Sequence, residues 1–114
     1  MIEVILFDFL SSKMSVPVKT EIPQEPPLKY CLIEKTGGSE TNHIKRATVV
    51  IQSYAESLYD AANLNETVKE TILAADGLIM LDSIVSVNLS SDYNFTDTTT
   101  KKYRYQAVFD IVHY

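Results

Sequence analysis

The sequence predicts a single α+β domain in which a mainly antiparallel or mixed β-sheet packs against a short N-terminal helix and one longer central helix. Three observations carry this. The chain has 114 residues, enough for one hydrophobic core and too few for two. Apolar residues make up 46% and charged residues 22%, the balance of a folding globular chain and not of a disordered one. Hydropathy alternates with period two in several segments and switches to the helical period in two others.

Residues 2–12 place Ile2, Ile5, Leu6, Phe9 and Leu10 at spacings of three and four, the stripe of a short amphipathic helix, with Val4 and Phe7 off it. A buried strand is the competing description for so short a run. Residues 16–22 alternate Val16, Val18, Thr20 and Ile22 against Pro17, Lys19 and Glu21, an extended segment that Pro17 confines to a strand start or a sheet edge. Pro23 and the Pro26-Pro27 pair end it, because each proline fixes its own φ and biases its predecessor toward extended geometry. Residues 28–36 carry Tyr30 and Leu32 on one face and Cys31 and Ile33 on the other, a strand that Gly37-Gly38 is expected to stop. After the polar, turn-like residues 39–45, residues 46–54 set Ala47, Val49 and Ile51 against Thr48, Val50 and Gln52. The two strands are expected to pair antiparallel across a loop longer than the two-residue turns that fix register.

From Ala55 the period changes, and Leu58, Ala61, Ala62, Asn65, Val68 and Ile72 fall on one stripe with most charges off it. Ser53 or Ser57 is the candidate cap, Gly77 the candidate end, and residues 63–67 the place where one helix would break into two. Residues 78–81 form a short apolar segment. In residues 84–90, Val85, Val87 and Leu89 face one way and Ser86, Asn88 and Ser90 the other, as in a half-buried strand. Residues 102–114 alternate longest, with Tyr103, Tyr105, Ala107, Phe109 and Ile111 on one face. Residues 91–101 between these strands read as a polar connection too long for a tight turn.

Residue chemistry excludes several functions. A formal charge of -5 and a pI near 4.9 do not suit a surface that grips a phosphate backbone. No apolar run approaches the roughly 20 residues of a membrane span, and the N-terminal residues lack the basic start and cleavage site of a secretory signal. Cys31 is the only cysteine and His43 and His113 the only histidines, too few for a four-ligand structural zinc site, so no metal is expected. His43 falls in a polar stretch and reads as solvated, while His113 reads as a fraying strand end. Gly37-Gly38 lacks the lysine and helix start of a phosphate-binding loop, and nothing requires Asp76, Asp82 and Asp92 to converge. Neither catalytic residues nor a cofactor site are expected.

What remains is aromatic and basic. Tyr93, Phe95, Tyr103 and Tyr105 surround a polar loop with Lys101, Lys102 and Arg104, and aromatic and Arg side chains are enriched where interfaces bury a central patch. Because residues 102–114 read as a core strand, the candidate contact element is the loop and its flank: Asp92, Tyr93, Asn94, Phe95, Thr96, Asp97, Lys101, Lys102 and Arg104.

Several segments together resemble a known family: Val16-Pro17-Val18 with Glu21-Ile22-Pro23, Glu34-Lys35-Thr36-Gly37-Gly38, the strand from Ala47 to Ser53 running into Tyr54-Ala55-Glu56-Ser57, and residues 91–97 leading to Tyr103-Arg104-Tyr105-Gln106-Ala107. In that order, across nearly the whole chain, they are similar to the tail terminator, or tail-completion, proteins of long-tailed bacteriophages and prophages of Gram-positive bacteria. The resemblance implies an α+β virion protein, assembled in the host cytoplasm, whose copies close into a homohexameric ring on the head-proximal end of the tail tube. Its implied partners are other copies of itself, the tail-tube protein and the head-tail connector, with DNA passing through the lumen without sequence-specific contacts. It implies no catalytic residues. A head-tail connector subunit, adaptor or stopper, is the alternative within structural proteins, and a small cytosolic enzyme or ligand-binding domain the alternative outside them. Residues 92–102 are expected to order or shift when the ring forms.

Overall fold

The computed structural model describes residues 1–97, 99–100 and 102–114. In chain order it contains α1 (Ile2–Lys13), β1 (Val18–Lys19), β2 (Tyr30–Thr41), β3 (Ile44–Ala55), α2 (Leu58–Leu73), a 3-10 turn (Leu78–Met80), β4 (Ile84–Asn94) and β5 (Tyr103–His113). The strands form one five-stranded sheet in the order β1-β2-β3-β5-β4. Of its neighbouring pairs β1 and β2 run parallel and the rest antiparallel, so the sheet is mixed, and with the short N-terminal helix and longer central helix it makes an α+β domain.

Both helices follow from their apolar stripes. Residue spacing brings Ile2, Leu6, Phe9 and Leu10 to the buried face of α1 and leaves Val4 and Phe7 exposed. The strand alternative for this segment is thereby removed. In α2 the Ser57 side chain accepts from the Asp60 N–H at 3.1 Å, satisfying one of the donors that a helix start leaves free, and Ala61, Leu64, Asn65, Val68 and Ile72 are buried. The helix is unbroken through residues 63–67. It stops at Leu73, short of Gly77, because Ala74 turns to ψ 150. Gly77 serves instead as a point of close approach. A Cβ there would sit 2.5 Å from the Thr71 carbonyl, so only glycine lets the chain cross the helix end this closely.

The two helices share one core with one face of the sheet. Cys31 and Ile33 of β2, Ala47, Val49 and Ile51 of β3, and Ala107, Phe109 and Ile111 of β5 meet Leu6, Leu10, Val68 and Ile72 there. Burying each such large side chain contributes on the order of 1.5–3 kcal/mol. Among the described residues the opposite face carries no helix, and it holds a separate small cluster of Tyr30, Leu32 and Tyr54.

Five expectations are corrected. Gly37-Gly38 does not stop β2, which runs on to Thr41 with a register shift between Lys35 and Gly37. Glycine inside a strand here marks a bulge, not an end. Residues 39–45 are consequently no long loop: Thr41 pairs with Ile44, and Asn42 and His43 make a tight turn with φ of 51° and 66°. Positive φ at both central positions is what matches a two-residue turn to the twist of a hairpin. The extended segment at residues 16–22 shrinks to Val18–Lys19, paired with Cys31 and Leu32, because Pro17 and then Pro23 limit what can join a ladder. Val85 does not share a face with Val87 and Leu89; a register shift between Ile84 and Ser86 leaves it exposed while the other two pack on the core. Finally, β4 continues through Ser91 to Asn94, so the expected connection gives up its first four residues to the strand.

Candidate functional site

The candidate contact residues belong to the end of the β4–β5 hairpin. Asp92 pairs with Ala107, Tyr93 with Gln106 and Asn94 with Tyr105. Beyond them the Phe95 N–H donates to the Arg104 carbonyl at 2.9 Å and the Asp97 N–H to the Lys102 carbonyl at 3.3 Å. The sequence signal was present, since Tyr93 and Phe95 are spaced by two. It was masked by a second register shift between Leu89 and Ser91, which inverts the alternation partway along the strand.

Strand pairing lays two rows of side chains across the face without helices. In one row Tyr30 of β2 stacks on Tyr54 of β3, ring centres 4.6 Å apart and planes within 2°. Opposite Tyr54 on β5 stands Arg104. Its Nη1 donates to the Tyr54 hydroxyl at 2.8 Å, its Nε to the Phe95 carbonyl at 2.7 Å, and its guanidinium carbon lies 4.3 Å from the centre of the Phe95 ring. In the next row Leu32, Gln52, Gln106 and Tyr93 follow one another across four strands. Gln52 Nε2 donates to Gln106 Oε1 at 3.2 Å, and Gln106 Nε2 donates to the Tyr93 hydroxyl.

Two further contacts close the rows into a ring. The Tyr54 hydroxyl donates to Gln52 Oε1 at 2.9 Å, and Tyr93 meets Phe95 edge to face with ring centres 5.8 Å apart. Starting from Arg104, the path runs through Tyr54, Gln52, Gln106, Tyr93 and Phe95 and returns to Arg104. Gln52, Tyr54 and Gln106 are buried, whereas Tyr93 is 41% and Phe95 42% exposed. A satisfied polar network at the base thus holds two aromatic rings outward in fixed orientations. Burial raises the pKa of Tyr30, the neighbouring Tyr54 adds to the rise, and the Arg104 charge opposes it, so the phenol stays neutral.

The structure divides the candidate residues. Tyr93, Phe95 and Arg104 come together on this face. Asp92 points the other way, its Oδ2 3.0 Å from Lys69 Nζ on α2, and Glu66 also contacts that ammonium. The two carboxylates raise the Lys69 pKa. Asn94 and Asp97 shape the turn: Asn94 Oδ1 accepts from the Thr96 N–H at 3.0 Å, and Asp97 Oδ1 accepts from the Thr99 N–H at 2.9 Å. Thr96 Oγ1 accepts from the Arg104 N–H at 3.2 Å, fixing the base of the hairpin end. Lys102 borders a cleft of about 210 Å³ shared with Pro26, Pro27, Tyr30, Tyr54 and Tyr103. Lys101 lies outside the described residues. Tyr30, Gln52, Tyr54 and Gln106 were missed, because their grouping depends on β3 pairing with β5, which the local pattern does not reveal.

Other chemistry-bearing residues are dispersed. Asp76 and Asp82 border an open cavity of about 660 Å³ between α1 and the 3-10 turn, floored by Ile5, Phe9 and Leu81, while Asp92 is elsewhere. His43 is exposed on its turn. His113 does not fray: it pairs with both Lys45 and Ile84, is buried, and its Nδ1 lies 3.1 Å from the Tyr114 carbonyl oxygen. Among the described residues no group of three or more His, Cys, Asp or Glu side chains is placed to hold a metal ion, and no helix is long and apolar enough to cross a membrane. No protein-family model and no curated protein matches the chain.

Proposed function

We propose that this chain is a structural assembly subunit that docks other proteins on the open face of its sheet, and that its place of work is the head-proximal end of a bacteriophage tail tube. One observation carries the docking reading: the closed contact ring through Arg104, Tyr54, Gln52, Gln106, Tyr93 and Phe95, which presents exposed aromatic rings on a preorganised scaffold. Side chains already held in place lose little freedom on binding, and Tyr and Arg at the centre of a patch dominate interface energetics. The tail-end assignment rests on the resemblance of the segments quoted above to tail terminator proteins. In that reading the copies form a hexameric ring that ends tube polymerisation and meets the head connector. The net charge of -5 suits a lumen that DNA must slide through and not stick to.

Negative-stain microscopy of the purified protein with tail-tube subunits tests both parts. Rings at tube ends are expected, and Tyr93→Ala or Arg104→Ala should remove them. Binding to head portals in place of tube ends would make the chain a connector subunit. Binding to neither would overturn the assembly reading.

A further inference from the structure

Beyond Leu32, β2 has a strand neighbour on one side only among the described residues. β1 covers Cys31 and Leu32 and ends, while β3 accompanies β2 to the hairpin turn. The eight residues from Glu34 to Thr41 are all exposed, past the reach of the core. An edge of this length exposes a row of backbone donors and acceptors and is a template for another strand. We infer that this edge pairs, antiparallel and about a two-fold axis, with the same edge of a second copy.

The register follows from charge. The bulge at Thr36 counts as one step of the ladder, so Lys35, Gly38 and Glu40 share one face, the face of their β3 partners Val49, Ala47 and Lys45. Distance puts the first two on a common side: a Cβ at Gly38 would lie 2.9 Å from Lys35 Cε, so the lysine stem lies flat across the glycine. Placing the axis at Gly38 sets Gly38 against Gly38 of the second copy, with no Cβ at the axis, and the flexible Lys35 stem that crosses Gly38 swings out toward the second copy. Lys35 then stands opposite Glu40 of the second copy and Glu40 opposite Lys35, giving two ion pairs from one sequence. A slip of two residues either way sets Lys35 or Glu40 against Gly38 and removes both pairs. Glycine-rich strands specify register weakly by themselves, and the reciprocal charges supply what the glycines lack.

This contact is isologous, so it closes at two copies and does not by itself build a ring. It is the resting pair of the free subunit, and it covers an edge that would otherwise recruit strands indiscriminately. It leaves the Arg104 face untouched and stands independently of the tail-end assignment.

Sedimentation of the full chain across a concentration series, without tube protein, tests the pair. A reversible monomer–dimer equilibrium is expected, weakening with added salt. Lys35→Glu and Glu40→Lys should each raise the dimer dissociation constant about tenfold or more, since each replaces two attractions with two repulsions. The double variant K35E/E40K should restore it. Because both side chains are exposed, circular dichroism should show all three variants folded, and the amide protons of residues 37–40 should exchange more slowly at dimer-forming concentrations. A chain that stays monomeric, a dimer indifferent to Lys35→Glu, or a double variant as weak as the singles would overturn the proposal. Tube-end rings formed by a chain whose pair has failed these tests would leave the assembly reading standing alone.

Discussion

The side-chain amides of Gln52 and Gln106, 54 positions apart in sequence, face each other across the β3–β5 ladder with Nε2 of the first 3.2 Å from Oε1 of the second. Both are buried on the face of the sheet away from the helices. Replacing either by Leu should strand the other amide and cost about 1–3 kcal/mol. Replacing both should recover only part of that loss, because no amide is then left unpaired between them but the buried Tyr54 hydroxyl loses its Gln52 acceptor. Urea denaturation of the two singles and the double gives the coupling, and strictly additive losses would show that the amides act separately.

Arg104 is the element that fixes the hairpin end, bridging the Tyr54 hydroxyl and the Phe95 carbonyl while lying over the Phe95 ring. Arg104→Lys keeps the charge but not the planar fork, so it should cost about 1–2 kcal/mol and loosen the aromatic pair. NMR ring shifts of Phe95 should move toward free values. Unchanged ring shifts would show that the strand pairing alone orients Phe95.

Asp92 and Tyr93 are neighbours that point to opposite faces, one to Lys69 and the other to Gln106. They therefore separate the docking face from the helix face. Tyr93→Ala should weaken binding to the partner by tenfold or more, whereas Asp92→Ala should leave binding intact and cost at most about 1 kcal/mol of stability. Equal losses of binding from both would mean that the partner wraps the strand edge.

Cys31 is fully buried, and burial pushes its thiol up to about 12, the neighbouring Ser53 hydroxyl and the Lys29 charge only partly opposing the rise. The thiolate is the reactive form, so Cys31 in the folded chain should resist alkylation at pH 8 and react once urea unfolds the protein. Rapid labelling of the native protein would contradict this placement.

The Asp97 carboxyl is held below the usual 3.8, first by the Thr99 N–H and then by the Thr100 side chain and N–H. A depressed carboxyl favours the folded turn at every pH above the ordinary Asp range, and that contribution fades as pH falls through the lowered value. An NMR titration should therefore find the Asp97 midpoint below that of a free Asp side chain. Asp97→Asn should flatten the acid dependence of amide protection in the turn.

Helices were legible because a stripe such as Leu64, Val68 and Ile72 is a local property of the chain, as is the Ser57 cap. Strand ends were less so. Thr41–Ile44 pairing depends on Asn42 and His43 accepting positive φ, and His is an uncommon occupant of such a turn. The bulges after Lys35, Ile84 and Leu89 each reset the alternation, so a polar residue read as outward changes sides. The site itself was half visible: Tyr93, Phe95 and Arg104 stood out by type, but Gln52 and Tyr54 reach them only through tertiary pairing.

The strand order carries a kinetic corollary. β2 with β3, and β4 with β5, are hairpins whose members are adjacent in sequence, so each closes with a small loop penalty. The β3–β5 seam joins strands separated by all of α2 and β4, and contacts of that span are the slow ones in folding. Two preformed hairpins meeting along one seam is the assembly order this topology favours, with Gln52 and Gln106 among the last groups to leave water. A chain delayed at that step has four bare strand flanks in place of two, so the interval before the seam closes is when it is most exposed to aggregation.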